Sequence, residues 1–113
     1  MTDLEITKLC AEAMGLKLWR DNAAFNEANW KHDQNLWVDS GSPGNHWLYC
    51  PLRNDAQAMA LLKKYIDTYD ALVNPIGYRV GAPGGGFVKD KDLNRAIVTC
   101  VAKLQLAKQK VAA

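Results

Sequence analysis

The sequence predicts an α/β (α+β) fold: a mainly antiparallel four-stranded sheet sandwiched by helices, in the order α-β-β-α-β-β-α. Three observations predict it. Apolar residues at helical spacing occupy the two ends and the middle of the chain, and short aromatic and aliphatic runs fall in pairs between them. Each pair surrounds a stretch of Gly, Pro, Ser or Asn that turns the chain back on itself, and strands joined in this way pair antiparallel. With 113 residues, the size of one ordinary domain, residues 1–113 are expected to share one core.

The elements follow in order. Thr2 and Glu5 form a capping box, and Leu4, Ile6, Leu9, Cys10, Ala13 and Met14 keep helical spacing until Gly15, so a first helix spans about Asp3 to Met14. Arg20 to Asn35 is polar around Phe25 and Trp30, with room for a short helix from Asn22. Leu36-Trp37-Val38 and His46-Trp47-Leu48-Tyr49 read as two strands around the turn-rich Asp39 to Asn45. A central helix starts at Asn54, an N-cap with Gln57 three residues on, and carries Ala56, Met59, Ala60, Leu62, Tyr65, Ile66 and Tyr69. It is expected to end near Tyr69, ahead of the Asn74-Pro75 break. Ile76 to Val80 and Phe87-Val88 read as a second hairpin around Gly81 to Gly86. The last helix, about Asp92 to Lys110, keeps Leu93, Ala96, Ile97, Cys100, Val101, Leu104 and Ala107 on one stripe, with lysines near its negative end.

Fourteen Lys and Arg against twelve Asp and Glu leave a net charge of +2, too balanced for generic binding to a phosphate backbone, so no nucleic-acid partner is expected. The first eighteen residues lack a basic segment followed by an apolar core, and no run of eighteen apolar residues occurs anywhere. No membrane partner is expected, and the expected compartment is the cytoplasm. Cys10, Cys50 and Cys100 are odd in number and far apart, which reads as buried reduced thiols rather than a disulfide framework or a CxxC site. The chain holds no HExxH, GxSxG, GxxxxGK[ST] or GxGxxG. His32 and His46, with Asp21, Asp33 and Asp39 nearby, do not share a helical face and read as solvated polar residues. An enzyme is not expected, and neither is a cofactor.

The candidate site residues are of two kinds. Trp19, Trp30, Trp37 and Trp47 all lie in the first half. Core packing accounts for some of them, while Trp37 and Trp47, neighbours across a hairpin, would suit a stacking platform for a planar ligand. Arg79, the Gly84-Gly85-Gly86 run and the helix start at Asp90 to Asp92 together suit a phosphate, although an aspartate N-cap there would itself fill the anion position and the glycines read equally as a mobile hairpin tip. Arg53, just before the central helix, offers a bidentate fork. These residues point to a small anionic, nucleotide-like ligand bound without catalysis. The alternative is a protein-binding module that uses the aromatic hairpin, since Trp and Tyr also dominate interface hot spots. A small core with surplus aromatics in its hairpins points further to a homo-oligomer.

Tyr49-Cys50-Pro51-Leu52-Arg53-Asn54-Asp55-Ala56 resembles the aromatic-x-Pro approach to the central helix of the phage ABA sandwich domain, a family of small bacteriophage proteins. Asn94 to Ala102, with its Arg-Ala-Ile run and small residues, resembles that family's final helix. With the first helix and Gly15, the resemblance spans most of the chain outside Arg20 to Asn35 and the glycine-rich tip. It implies a layered fold, a bacteriophage origin and no catalytic residues. The function it implies is that of a phage accessory protein in the host cytoplasm that sequesters a ligand such as a host immune signalling nucleotide, or that inhibits or adapts a host or phage protein.

Overall fold

The computed structural model describes residues 1–19, 23–39, 46–84 and 86–112. Helix α1 (Asp3–Ala13) begins as the capping box requires, the Glu5 N–H donating to Thr2 Oγ1 at 3.2 Å, and the chain leaves it through Gly15 at φ +73°. Helix α2 (Ala23–Asp33) fills the polar segment; its expected first residue, Asn22, lies outside the described residues. Strands β1 (Leu36–Asp39) and β2 (His46–Tyr49) pair antiparallel, and the turn expected at 40–45 also lies outside the described residues. Helix α3 (Asp55–Tyr65) is capped by Asn54, whose Oδ1 accepts from the Gln57 N–H at 3.0 Å. Strands β3 (Thr68–Val73), β4 (Ile76–Ala82) and β5 (Gly86–Asp90) form an antiparallel meander, and helix α4 (Leu93–Ala112) closes the chain.

The α+β class holds, but three expectations are corrected. The central helix stops at Tyr65 rather than Tyr69, because Ile66 is extended and Thr68 to Val73 pairs along its whole length with β4. The Asn74-Pro75 peptide, which is cis, forms the two-residue link between Val73 and its partner Ile76. A stripe that includes Ile66 and Tyr69 fits a helix, yet Tyr69, Ala71 and Val73 also alternate as a strand does, and the partner strand decides the outcome.

The strands, secondly, form one two-stranded and one three-stranded sheet instead of a single four-stranded one. Glutamine 57 of α3 shows why β2 is not extended further: its side chain donates to the Leu48 carbonyl at 2.9 Å and accepts from the Cys50 N–H at 2.8 Å, so it occupies the edge of the hairpin. On the far side β1 is met by residues 17–19, with the Trp19 N–H donating to the Trp37 carbonyl and the Asp39 N–H to the Lys17 carbonyl.

Thirdly, a helix rather than a sheet occupies the middle layer. Helix α4 packs on β4 and β5 on one side and on α1 on the other, with α3 beside it. Ala96, Ile97, Val98, Cys100, Val101 and Ala102 are therefore all buried, a wider band than one stripe. The Cys10 thiol on α1 donates to the Val98 carbonyl at 3.3 Å across this layer. The three-stranded sheet buries Val80 and Val88 beneath α4, while its opposite face carries Asp70, Arg79 and Lys89, a charged set unsuited to a second helix layer.

Candidate functional site

The two tryptophans chosen as a platform lie on opposite faces of the β1–β2 hairpin. Trp37 stands opposite Leu48 and Trp47 opposite Val38, and since neighbouring residues of a strand point to opposite faces, the two rings diverge. The shared platform is thereby corrected. Trp37 belongs to an aromatic group already filled by the chain itself: the His46 imidazole stacks on Trp19 at 3.9 Å between centroids and meets Trp37 edge-on at 4.5 Å, with Phe25 edge-on to Trp19 at 5.7 Å. His46 is correspondingly half-buried, with its Nδ1 enclosed, rather than solvated. Trp47 lies edge-on to Tyr49 at 5.9 Å and remains 36% exposed.

The phosphate candidates are likewise dispersed. Arg79 on β4 stands directly opposite Asp70 on β3, donating to Asp70 Oδ2 through Nη2 at 2.6 Å and Nε at 3.2 Å, and its guanidinium lies 5.1 Å from the centre of the Phe87 ring. A group so engaged must lose an ion pair before it can accept a phosphate. Gly84 and Gly86 take φ of +78° and +73°, which explains glycine at those turn positions; Gly85 lies outside the described residues. At the start of α4, Asp92 Oδ1 accepts from the Asn94 N–H at 3.0 Å and Asp90 Oδ1 from the Asp92 N–H at 2.9 Å, so carboxylates of the chain fill the anion position.

Arg53 lies beside concave surface. Its Nη2 donates to the Gln34 carbonyl at 2.7 Å, bridging α3 to the end of α2, and it borders two clefts of about 290 and 140 Å³. The first cleft also presents Leu48, Asn54 and Gln57. The second holds Arg95, but Asp3 and Asp92 line it too, and Arg95 forms two hydrogen bonds with Asp3 at 2.9 and 3.0 Å. Those hydrogen bonds hold the Asp3 carboxyl below its ordinary value and the Arg95 guanidinium above its own. Its charge is thus largely balanced.

All three cysteines are buried and unpaired, as the sequence suggests. Burial pushes the Cys10 thiol up to about 12 and raises Cys100 as well, so neither is a nucleophile at neutral pH.

Another set of residues emerges on the three-stranded sheet. Tyr69, Ala71 and Val73 of β3 and Ile76 and Tyr78 at the turn end of β4 share the face that carries Val80 and Val88, but lie where α4 no longer covers it. Val73 is 87% exposed, Ile76 79% and Tyr69 49%, and Tyr69 stacks on Tyr78 with ring centres 6.1 Å apart. The alternation of Tyr69, Ala71 and Val73 ahead of Asn74-Pro75 was the available sequence signal, obscured by its overlap with the helical stripe. No protein-family model, curated protein or solved structure matches this chain.

Proposed function

We propose that the chain is a non-catalytic binding module that engages another protein through the apolar strip of the β3–β4 hairpin. The observation that carries this reading is the clustering of Tyr69, Val73 and Ile76, exposed on the very face that elsewhere forms the core. Large apolar side chains grouped on a surface gain free energy when a partner removes them from water, by about 25 cal/mol per Å². In the bacteriophage setting that the sequence resemblance implies, the partner is a host or phage protein that the module inhibits or adapts. The test compares proteins retained from cells by the native chain and by a Val73→Glu, Ile76→Glu double variant. Both positions are exposed but directly opposite each other, so the two carboxylates should cost no more than about 1 kcal/mol and the variant should still fold. A partner held by the first and lost from the second supports the reading; identical retention by both refutes it.

A second reading, sequestration of a small anionic, nucleotide-like ligand, is favoured by one observation: Arg53 borders both clefts beside the N-terminus of α3. On this reading the base has no platform on Trp37, and the ligand sits against Leu48 and Gln57. Calorimetry against linear and cyclic nucleotides, with Arg53→Ala beside the native chain, tests it. Heat with the native chain that is lost in the variant supports it, and absence of heat with any nucleotide sinks it.

A further inference from the structure

The edges of the two sheets are not treated alike. Residues 17–19 close β1, the Gln57 amide caps β2, and β5 carries Lys89 and Asp90 and is followed by Lys91, whose charges discourage strand addition. Among the described residues β3 is guarded least, by Asp67 before it and Asn74-Pro75 after it, with nothing along the strand itself. Its sequence, Thr-Tyr-Asp-Ala-Leu-Val, has no lysine or proline, and the carboxylate of Asp70, its single charge, is held by Arg79 of the neighbouring strand. A neutral, apolar, six-residue edge of this kind is a template for another strand.

We propose that the occupant of this edge is a second copy of the same chain. The proposal rests on the reading of the β3–β4 hairpin as an interface and adds an occupant for its edge, as distinct from its apolar face. Two β3 strands meet antiparallel about a two-fold axis at Ala71 and join two three-stranded sheets into one of six strands. The register follows from charge and from the pleat. Only even offsets keep the apolar faces together. Centring on Asp70 sets two carboxylates directly opposite each other, whereas centring on Ala71 sets Tyr69 opposite the partner's Val73, an aromatic and β-branched pair, and Asp70 opposite the partner's Leu72. Tyr69, Ala71 and Val73 are exposed while Thr68, Asp70 and Leu72 are half-buried, so edge pairing covers less than about 1,000 Å² in all, the size of weak, transient interfaces. The dimer is therefore expected to be a weak one, in equilibrium with the monomer. The strips of the two copies then form one continuous apolar floor between the paired α4 helices, which leaves the face, as distinct from the edge, open to a further protein.

Cross-linking tests both the association and its register. Directly opposed residues of antiparallel strands have Cα atoms about 4.5 to 5.5 Å apart, within disulfide range. Under mild oxidation at tens of micromolar, Ala71→Cys should link nearly completely into a species of twice the 12.5 kDa chain mass. The native cysteines are buried and should not compete. Val73→Cys is exposed as well, but in this register the two thiols stand four residues, roughly 14 Å, apart along the strands, and it should link at least several-fold less. Ala71→Lys should raise the dimer dissociation constant at least tenfold in sedimentation while leaving the circular dichroism spectrum unchanged. A monomer for the native chain at high micromolar concentration overturns the proposal, as does equal linking at positions 71 and 73. Either result leaves the Val73→Glu, Ile76→Glu comparison to decide separately whether the strip binds another protein.

Discussion

Two glycines of β4 make opposite predictions for the same substitution. A Cβ added at Gly77 would lie 2.9 Å from the Asp90 carbonyl oxygen and 3.5 Å from the Lys91 Cα, both backbone atoms of the segment that leads into α4. Relief requires β5 to move against β4, and overpacking of that kind costs about 1 to 3 kcal/mol. Replacing a strand glycine recovers about 0.5 to 1 kcal/mol, so Gly77→Ala should lose roughly 1 to 2 kcal/mol net. At Gly81 the added Cβ would lie 2.7 and 2.8 Å from two carbons of the Phe87 ring. That ring is 62% exposed and can swing outward, giving up its contact with Arg79, which is worth about 0.5 to 1 kcal/mol at an exposed site. Here the same recovery offsets the loss, and Gly81→Ala should be close to neutral. At about 4 °C per kcal/mol for a chain of this size, Gly77→Ala should lower Tm by roughly 4 to 8 °C, and Gly81→Ala by no more than about 2 °C. Thermal unfolding followed by circular dichroism measures both. Equal losses, or a Gly77→Ala variant that melts like the native chain, would refute the distinction between backbone and side-chain obstruction.

Ile97, fully buried in the second turn of α4, should not tolerate a charge: Ile97→Asp is expected to cost roughly 4 kcal/mol or more and to abolish a cooperative melt, so native-like melting would reject the central position of α4. The buried Tyr49 hydroxyl has no hydrogen-bond partner among the described residues, so Tyr49→Phe should be neutral or stabilising by up to about 1 kcal/mol in urea unfolding; a clear loss would reveal a partner for that hydroxyl. Asp3 has its folded-state pKa lowered by Arg95, so the pair's contribution is present above the ordinary value of 3.8 and is lost as pH falls through the lower, folded value. Both side chains are more than a third exposed, so Asp3→Asn should cost less than about 1 kcal/mol at pH 7, and its deficit in urea midpoint should shrink as pH falls below 3.8 through the lower, folded value; a deficit independent of pH would remove the ion pair as its cause.

The parts of the fold legible in the sequence are those fixed by local chemistry. The Thr2 and Asn54 caps, the Gly15 stop and the periodic stripe of α4 act within a few residues, and each lies where the residues alone place it. Tertiary pairing decided the rest. Thr68 to Val73 satisfies helical and strand spacing alike until β4 is present to pair with it. Val98 and Ala102 lie off the predicted stripe and are buried because α1 covers the side of α4 that faces away from the sheet, which no period within α4 encodes. The division into two sheets depends on where the Gln57 amide reaches, a contact between α3 and the hairpin edge.

The same distinction governs the site. Tryptophan, arginine and a helix N-terminus attract ligands for reasons that attract the chain's own groups equally well, and here nearer groups have met that demand. His46 stacks in the aromatic cluster that includes Trp37, Asp70 and Phe87 hold Arg79, and Asp92 occupies the start of α4. Residue type therefore identified groups capable of binding, while the fold determined which retained capacity for an external partner. Apolar side chains follow a different logic, because burial requires area and the area of α4 is limited. It covers β5 and the Val80 end of β4, and β3 and the turn end of β4 are left with Tyr69, Val73 and Ile76 in water. That surplus is a property of how far a helix reaches across a sheet, and on the reading proposed above it makes β3, the least guarded edge among the described residues, the place where another chain would complete this fold.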